Sequence, residues 1–145
     1  MRTLPQDPGH LIVACDGAAR GNPGPAGIGV HITNEDGSLV AEIAEGIGEA
    51  TNNVAEYTAV IEGLSLAQRL GAKAVAVRSD SQLLVNQLTG RYRVKTPHLQ
   101  PLHRRVRNLA AGFERISFEH VPREQNTEAD RLANEGVDAW LAGER

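Results

Sequence analysis

The 145-residue sequence predicts an α/β domain on a five-stranded mixed sheet flanked by helices. Strands one to three form an antiparallel meander, and strands four and five run parallel to strand one. Three observations lead there. Three strand-like segments open the chain before any helical pattern appears. The apolar period then lengthens from two to about 3.6 residues near Asn53. A helix separates the third strand from the fourth, so a right-handed crossover makes strands one and four parallel neighbours.

Residues 1–9, "MRTLPQDPG", read as a flexible N-terminus, and residues 10–142 as a single domain with no repeat or linker. "HLIVAC" is a short apolar run, as a buried strand would be. "AGIGVHIT" is the second strand, and "NEDG" is a hairpin turn before "SLVAEIAEGI", the third. Over residues 53–70, Tyr57, Val60, Ile61, Leu64 and Ala67 recur at helical spacing, and Gly71 stops the helix. "KAVAVRSD" is strand four. "SQLLVNQLTG" is a short helix ending at Gly90, and "HLQPLHRRVRNLAAGF" is a second one after Pro97. "RISFEHV" alternates as strand five, and "NTEADRLANEGVDAWL" is a closing amphipathic helix.

Composition narrows the class. Apolar residues at 41% and charged residues at 23% are ordinary for a soluble globular fold. The single cysteine, Cys15, rules out an internal disulfide framework and fits a reducing compartment. The N-terminus has no apolar core of a signal peptide, and no run approaches the ~18–20 apolar residues of a membrane span. A cytoplasmic monomer is therefore expected, with no membrane partner. The net charge of −3 argues against bulk nucleic-acid binding. Its distribution argues otherwise. From Ser81 to Phe113 there is no Asp or Glu, while Arg91, Arg93, Lys95, Arg104, Arg105 and Arg107 fall inside. Such a stretch is either a partner's footprint or a solvated helix face.

The chemistry begins in "CDGAARGNPGPAG", residues 15–27. It lacks the Lys-Ser or Lys-Thr of a P-loop and opens no helix with G-x-G-x-x-G, so it is not a nucleotide cradle. Asp16 closes strand one and Asp80 closes strand four, and adjacent parallel strand ends face one crevice. Glu56 and Asp130 fall in the first turns of the long and the last helix. Singly, each acid has a plain structural explanation. Asn53-x-x-Glu56 and Thr127-x-x-Asp130 resemble capping boxes, and Asp80 is a possible N-cap. Together they make a carboxylate cluster, whose repulsion hard divalent ions relieve. Two Mg²⁺ ions about 4 Å apart on such a cluster are the usual apparatus for attack of water on a phosphodiester.

In order, "DGAARGNPGPAG", "TNNVAEYTAVIEGL", "RSDSQLLVNQLTG" and "HVPREQNTEADRLAN" resemble the four successive motifs of the ribonuclease HI family, over nearly the whole chain. The resemblance implies a ribonuclease H-like fold and cleavage of the RNA strand of RNA–DNA hybrids, leaving 5′-phosphate and 3′-hydroxyl ends. It makes Asp16, Glu56, Asp80 and Asp130 the catalytic metal ligands. Two Mg²⁺ ions are implied, with Mn²⁺ an alternative; Asp16 is shared, Glu56 and Asp80 complete one ion and Asp130 the other. Asn22, Asn52, Asn53 and Gln82 become contacts to the hybrid's minor groove, with Arg123 and Asn126 as further substrate contacts. Amide side chains suit the 2′-OH, which both donates and accepts.

By ungapped counting from Asp130, His120 takes the place of the family's product-releasing histidine, with Arg123 as the alternative. Long forms of the family carry a basic, tryptophan-bearing protrusion between the two middle helices. Here only "RYRVKTPHLQ" stands there, and the acid-free residues 91–107 are the candidate substitute. Two other classes remain open: a non-catalytic hybrid- or double-stranded-RNA-binding module, and a superfamily nuclease acting on DNA.

Overall fold

The computed structural model describes residues 9–143. Its elements are β1 (His10–Ala19), β2 (Gly24–Asn34), β3 (Leu39–Ala50), α1 (Asn52–Arg69), β4 (Ala74–Ser79), α2 (Gln82–Leu88), α3 (Gln100–Ala110), β5 (Arg115–His120) and α4 (Thr127–Gly143). Short 3-10 turns stand at Pro97–Leu99 and Arg123–Gln125. The strands form one sheet in the order β3-β2-β1-β4-β5. β1, β2 and β3 pair antiparallel, whereas β4 is parallel to both β1 and β5. This is the mixed sheet that the order of elements predicts. Of the N-terminal segment expected to be flexible, residues 1–8 lie outside the described residues. Gly9 is tied in, its carbonyl accepting from Lys73 N at 3.0 Å and Ala74 N at 2.7 Å.

Strand alternation places helices on both faces of the sheet. Val13, Cys15 and Val30 point at Gly63 of α1, whereas Gly27 and Gly29 of β2 point at the backbone of α4. A methyl group on Gly29 would overlap the Ala129 carbonyl oxygen, so only glycine lets α4 lie this close. The main core lies between the sheet and α1, where Leu11, Ile28, Ile32, Val60 and Leu64 are fully buried. Each such side chain contributes about 1.5–3 kcal/mol on burial. The periodic residues of α1, from Tyr57 to Ala67, are all buried, as their spacing predicts. The helix stops at Gly71, whose φ is 85°; Gly71 N donates to Gln68 O and Ala72 N to Ala67 O. Among the described residues no helix is long and apolar enough to cross a membrane.

Several boundaries differ from expectation. β1 does not end near Asp16 but runs on to Ala19, because β2 keeps pairing with it after β4 has ended. The loop proper is short, closed by Arg20 N donating to Pro25 O at 2.8 Å, with Gly21 at a φ of 95°. The helix expected from His98 begins instead with the 3-10 turn, and α3 proper starts at Gln100. None of the three expected acid caps forms. Thr51 caps α1, its hydroxyl accepting from Val54 N at 3.2 Å, and Ser81 caps α2 in the same way through Leu84 N. In α4 the Asn126 carbonyl accepts from Asp130 N at 3.1 Å, which moves Asp130 one place beyond the capping-box position. All three acids are thus released from helix capping.

Candidate active site

Four elements bring the four acids together. Asp16 lies in β1 opposite Gly29, two residues past the last β1–β4 pair, Ala14 with Arg78. Asp80 directly follows β4, and Asp130 lies in the first turn of α4. Glu56 falls two places later in α1 than expected, beyond its first turn, because the helix starts at Asn52. Gly17 explains how α1 reaches the site. A methyl there would overlap the Ala55 carbonyl carbon and the Glu56 nitrogen. The Asp-Gly pair therefore supplies one carboxylate and leaves room for another.

Asp16 feels the charge of the other three acids. Asp16 is only 8% exposed. Burial foremost, then the Asp80 charge, a side-chain hydrogen bond with Asp130, and the Asp130 and Glu56 charges push its pKa up to about 8. Burial also pushes Glu56 up to about 7; the Ser81 hydroxyl opposes the shift and the Asp80 charge adds to it. At neutral pH the cluster therefore retains protons that isolated carboxylates would have lost. An oxygen-only donor set under such repulsion fits a hard divalent cation.

The tightest trio of ligand atoms lies elsewhere. Among the described residues, His31, Glu42 and Glu128 have ligand atoms within 4.8 Å of one another. The sequence assigned His31 no role. Its Nδ1 lies 3.0 Å from Glu42, and Arg131 pairs with Glu42 at 3.5 Å and Glu128 at 2.9 Å. That trio already has its cation.

The amides divide into two kinds. Asn52 N donates to Asn22 Oδ1 and Ala19 N donates to Asn52 Oδ1, both at 3.0 Å. Both amide oxygens therefore hold the β1–β2 loop against α1, while among the described residues the Nδ2 groups of these exposed side chains have no hydrogen-bond partner. Asn53 and Gln82 are exposed in the first turns of α1 and α2. Asn126 departs from expectation. It is 2% exposed, and its Nδ2 donates to Cys15 O at 2.9 Å, so it ties the start of α4 to β1 beside Asp16. Its Oδ1 is the one buried side-chain polar atom among the described residues without a partner.

His120 ends β5 opposite Ser79, one residue from Asp80 in register, and its side chain is exposed. Arg123 is exposed in the turn before α4. Two residues escaped the sequence reading. Ser81 touches Glu56, and Asn134 Nδ2 donates to Asp130 O at 3.0 Å and reaches its Oδ1 at 3.5 Å. The four-residue step from Asp130 to Asn134 was the available signal.

Residues 14–136 match the family model described as "Reverse transcriptase-like". The chain is 51% identical over 130 residues to the bifunctional protein Rv2228c of Mycobacterium tuberculosis, covering 89% of this chain but 36% of that relative. It thus spans about a third of the first curated relatives it matches. Ribonuclease HI of Halobacterium salinarum is 46% identical over 134 residues, covering 92% of this chain and 67% of the relative. The crystal structure of RNase H1 from that archaeon superposes with a TM-score of 0.88, over 90% of this chain and 99% of the other. LC11-RNase H1, solved in complex with an RNA/DNA hybrid, superposes with a TM-score of 0.86 at 46% identity, over 90% and 99% of the two chains. With the sheet order, the ordered motifs and this similarity in agreement, the chain belongs to the ribonuclease HI family.

Proposed function

We propose that this protein is an endoribonuclease that hydrolyses the RNA strand of RNA–DNA hybrids with two divalent cations, Mg²⁺ foremost and Mn²⁺ as a substitute. The meeting of Asp16, Glu56, Asp80 and Asp130 in one partly buried crevice carries this reading. It is supported by similarity to an RNase H1 solved with an RNA/DNA hybrid.

The four carboxylates would hold the ions, which when bound supply activation of a water and neutralisation of charge at the leaving oxygen. The water oxygen joins phosphorus, the bond to O3′ breaks, and O3′ takes up a proton. The products are a 5′-phosphate and a 3′-hydroxyl. Asn22 and Asn52, their oxygens engaged within the protein, present N–H donors to the oxygens of the minor groove and the 2′-OH. Asn53 and Gln82 extend that reading along the groove. Exposed Arg123 meets a phosphate, and His120 or Arg123 assists departure of the product.

End-labelled hybrid, DNA duplex and double-stranded RNA, incubated with and without chelator, test this reading. Cleavage confined to the RNA of the hybrid, lost in chelator and in Asp80→Asn, is the expected result. Full activity of Asp80→Asn, or in excess chelator, would sink it.

A further inference from the structure

Arg20 stands on the β1–β2 loop, yet its side chain crosses to α4. Its Nη1 lies 2.7 Å from Asp138 Oδ1, and its Nη2 donates at 3.4 Å to both the carbonyl oxygen and Oδ1 of Asn134. Asp130, Asn134 and Asp138 follow one another at four-residue steps, so they form a row along one face of α4. Within that row Asn134 Nδ2 donates to Asp130 O at 3.0 Å and reaches Asp130 Oδ1 at 3.5 Å. Guanidinium, amide and carboxylate thus make one chain of hydrogen bonds from the loop to Asp130.

The chemistry of the two end groups sets the direction of that chain. A guanidinium only donates, so the amide must turn its oxygen to Arg20. A carbonyl and an ionised carboxylate only accept, so the amide must turn its N–H donors to Asp130. A flipped amide would set donor against donor at one end and acceptor against acceptor at the other. Arg20 therefore selects the orientation that offers Asp130 a donor. The loop holds Arg20 in turn: Arg20 N donates to Pro25 O at 2.8 Å, and Asn22 Oδ1 accepts from Asn52 N at 3.0 Å.

We propose that Arg20 and Asn134 are positioning residues, Arg20 orienting the Asn134 amide and the amide holding the Asp130 carboxylate ready for a cation. The inference rests on the hybrid-cleaving reading and deepens it. Asp130 lies close enough to Asp16 for their charges to repel, and a donor on its carboxylate resists that push. The same chain ties Asp130 to the loop that carries Asn22, so a metal ligand and a substrate contact share one anchor. Neither Arg20 nor Asn134 touches the reacting phosphate.

A double-mutant cycle over Arg20→Ala, Asn134→Leu and the pair tests this, with Glu135→Ala as a control on α4 outside the chain. Circular dichroism checks the folding of each protein. In proton–nitrogen NMR spectra of the metal-free protein, the Asn134 side-chain N–H groups should exchange with solvent about tenfold faster in Arg20→Ala than in wild type. The Mg²⁺ concentration for half-maximal hybrid cleavage should rise about tenfold in each single variant, with most of kcat recovered in excess Mg²⁺. Asn134→Leu keeps the ion pair of Arg20 with Asp138, so a loop that merely needed tying to α4 would leave its Mg²⁺ requirement unmoved. The pair should need no more Mg²⁺ than Asn134→Leu alone, because Arg20 acts through the amide. Glu135→Ala should match wild type.

An unchanged Mg²⁺ requirement in Asn134→Leu, additive losses in the pair, an equal rise in Glu135→Ala, or amide exchange that is the same in wild type and Arg20→Ala overturns the positioning chain and leaves the cleavage reading standing. Wild type that cuts no hybrid at any Mg²⁺ concentration overturns the cleavage reading instead.

Discussion

Asp16 sits where a carboxylate is poorly tolerated, 8% exposed and facing three other acids. Its pKa lies at about 8 against an ordinary 3.8. Because the folded value is the higher one, the folded protein keeps a proton that the unfolded chain releases between about pH 4 and pH 8. Stability from this group is thus fully present below about pH 4 and is lost as pH rises to 8. In chelator, thermal melts should therefore fall across that window, and Asp16→Asn should flatten the fall. At pH 8 the variant should be more stable than wild type by on the order of 2 kcal/mol, about 5 °C in Tm. Added Mg²⁺ should raise the Tm of wild type at pH 8 and leave Asp16→Asn unmoved. A variant that melts below wild type in chelator at pH 8 would contradict this account of the site.

At the scale of elements, glycines set how closely helices approach the strands that carry the acids. Gly17 admits α1 with Glu56, and Gly29, paired with Asp16, admits α4 with Asp130. A methyl group at either position meets backbone, which cannot swing aside. Gly17→Ala and Gly29→Ala should each cost about 1–3 kcal/mol in denaturant melts. Assayed well below their Tm, both should lose far more cleavage than the folded fraction accounts for, because the carboxylates are pushed apart. Gly143→Ala, with open space around the added carbon, should change neither measurement. Wild-type activity in a folded Gly17→Ala would show that Glu56 does not depend on that close approach.

Across the whole molecule, of net charge −3, one long stretch, Ser81 to Phe113, holds no Asp or Glu. The crevice gathers carboxylates, and the α2–α3 side carries arginines without acids. A hybrid bound as proposed would be held by few, strongly salt-dependent contacts. At low hybrid concentration, cleavage should fall about tenfold or more between roughly 50 and 200 mM salt, while kcat at saturation holds. Steady-state kinetics across that range check it. A flat KM would mean that charge contributes little to the grip.

The sequence by itself determined the architecture and the family. The buried stripe of α1, the opening meander and the parallel crossover follow from local periodicity and connection rules. The ordered acids carried the family. The tertiary structure alone decided which polar residue does which task. Thr51 rather than Asn53 caps α1, a choice made by backbone angles and not by residue type, since both can cap. Asn126, expected as a substrate contact, is buried and bonded to the Cys15 carbonyl across 111 positions of sequence. β1 runs past Asp16 because β2 goes on pairing there, and Gly17 matters because another helix lies on it. Each of these depends on a neighbour distant in the chain, and local pattern holds no record of such a neighbour until the sheet has formed.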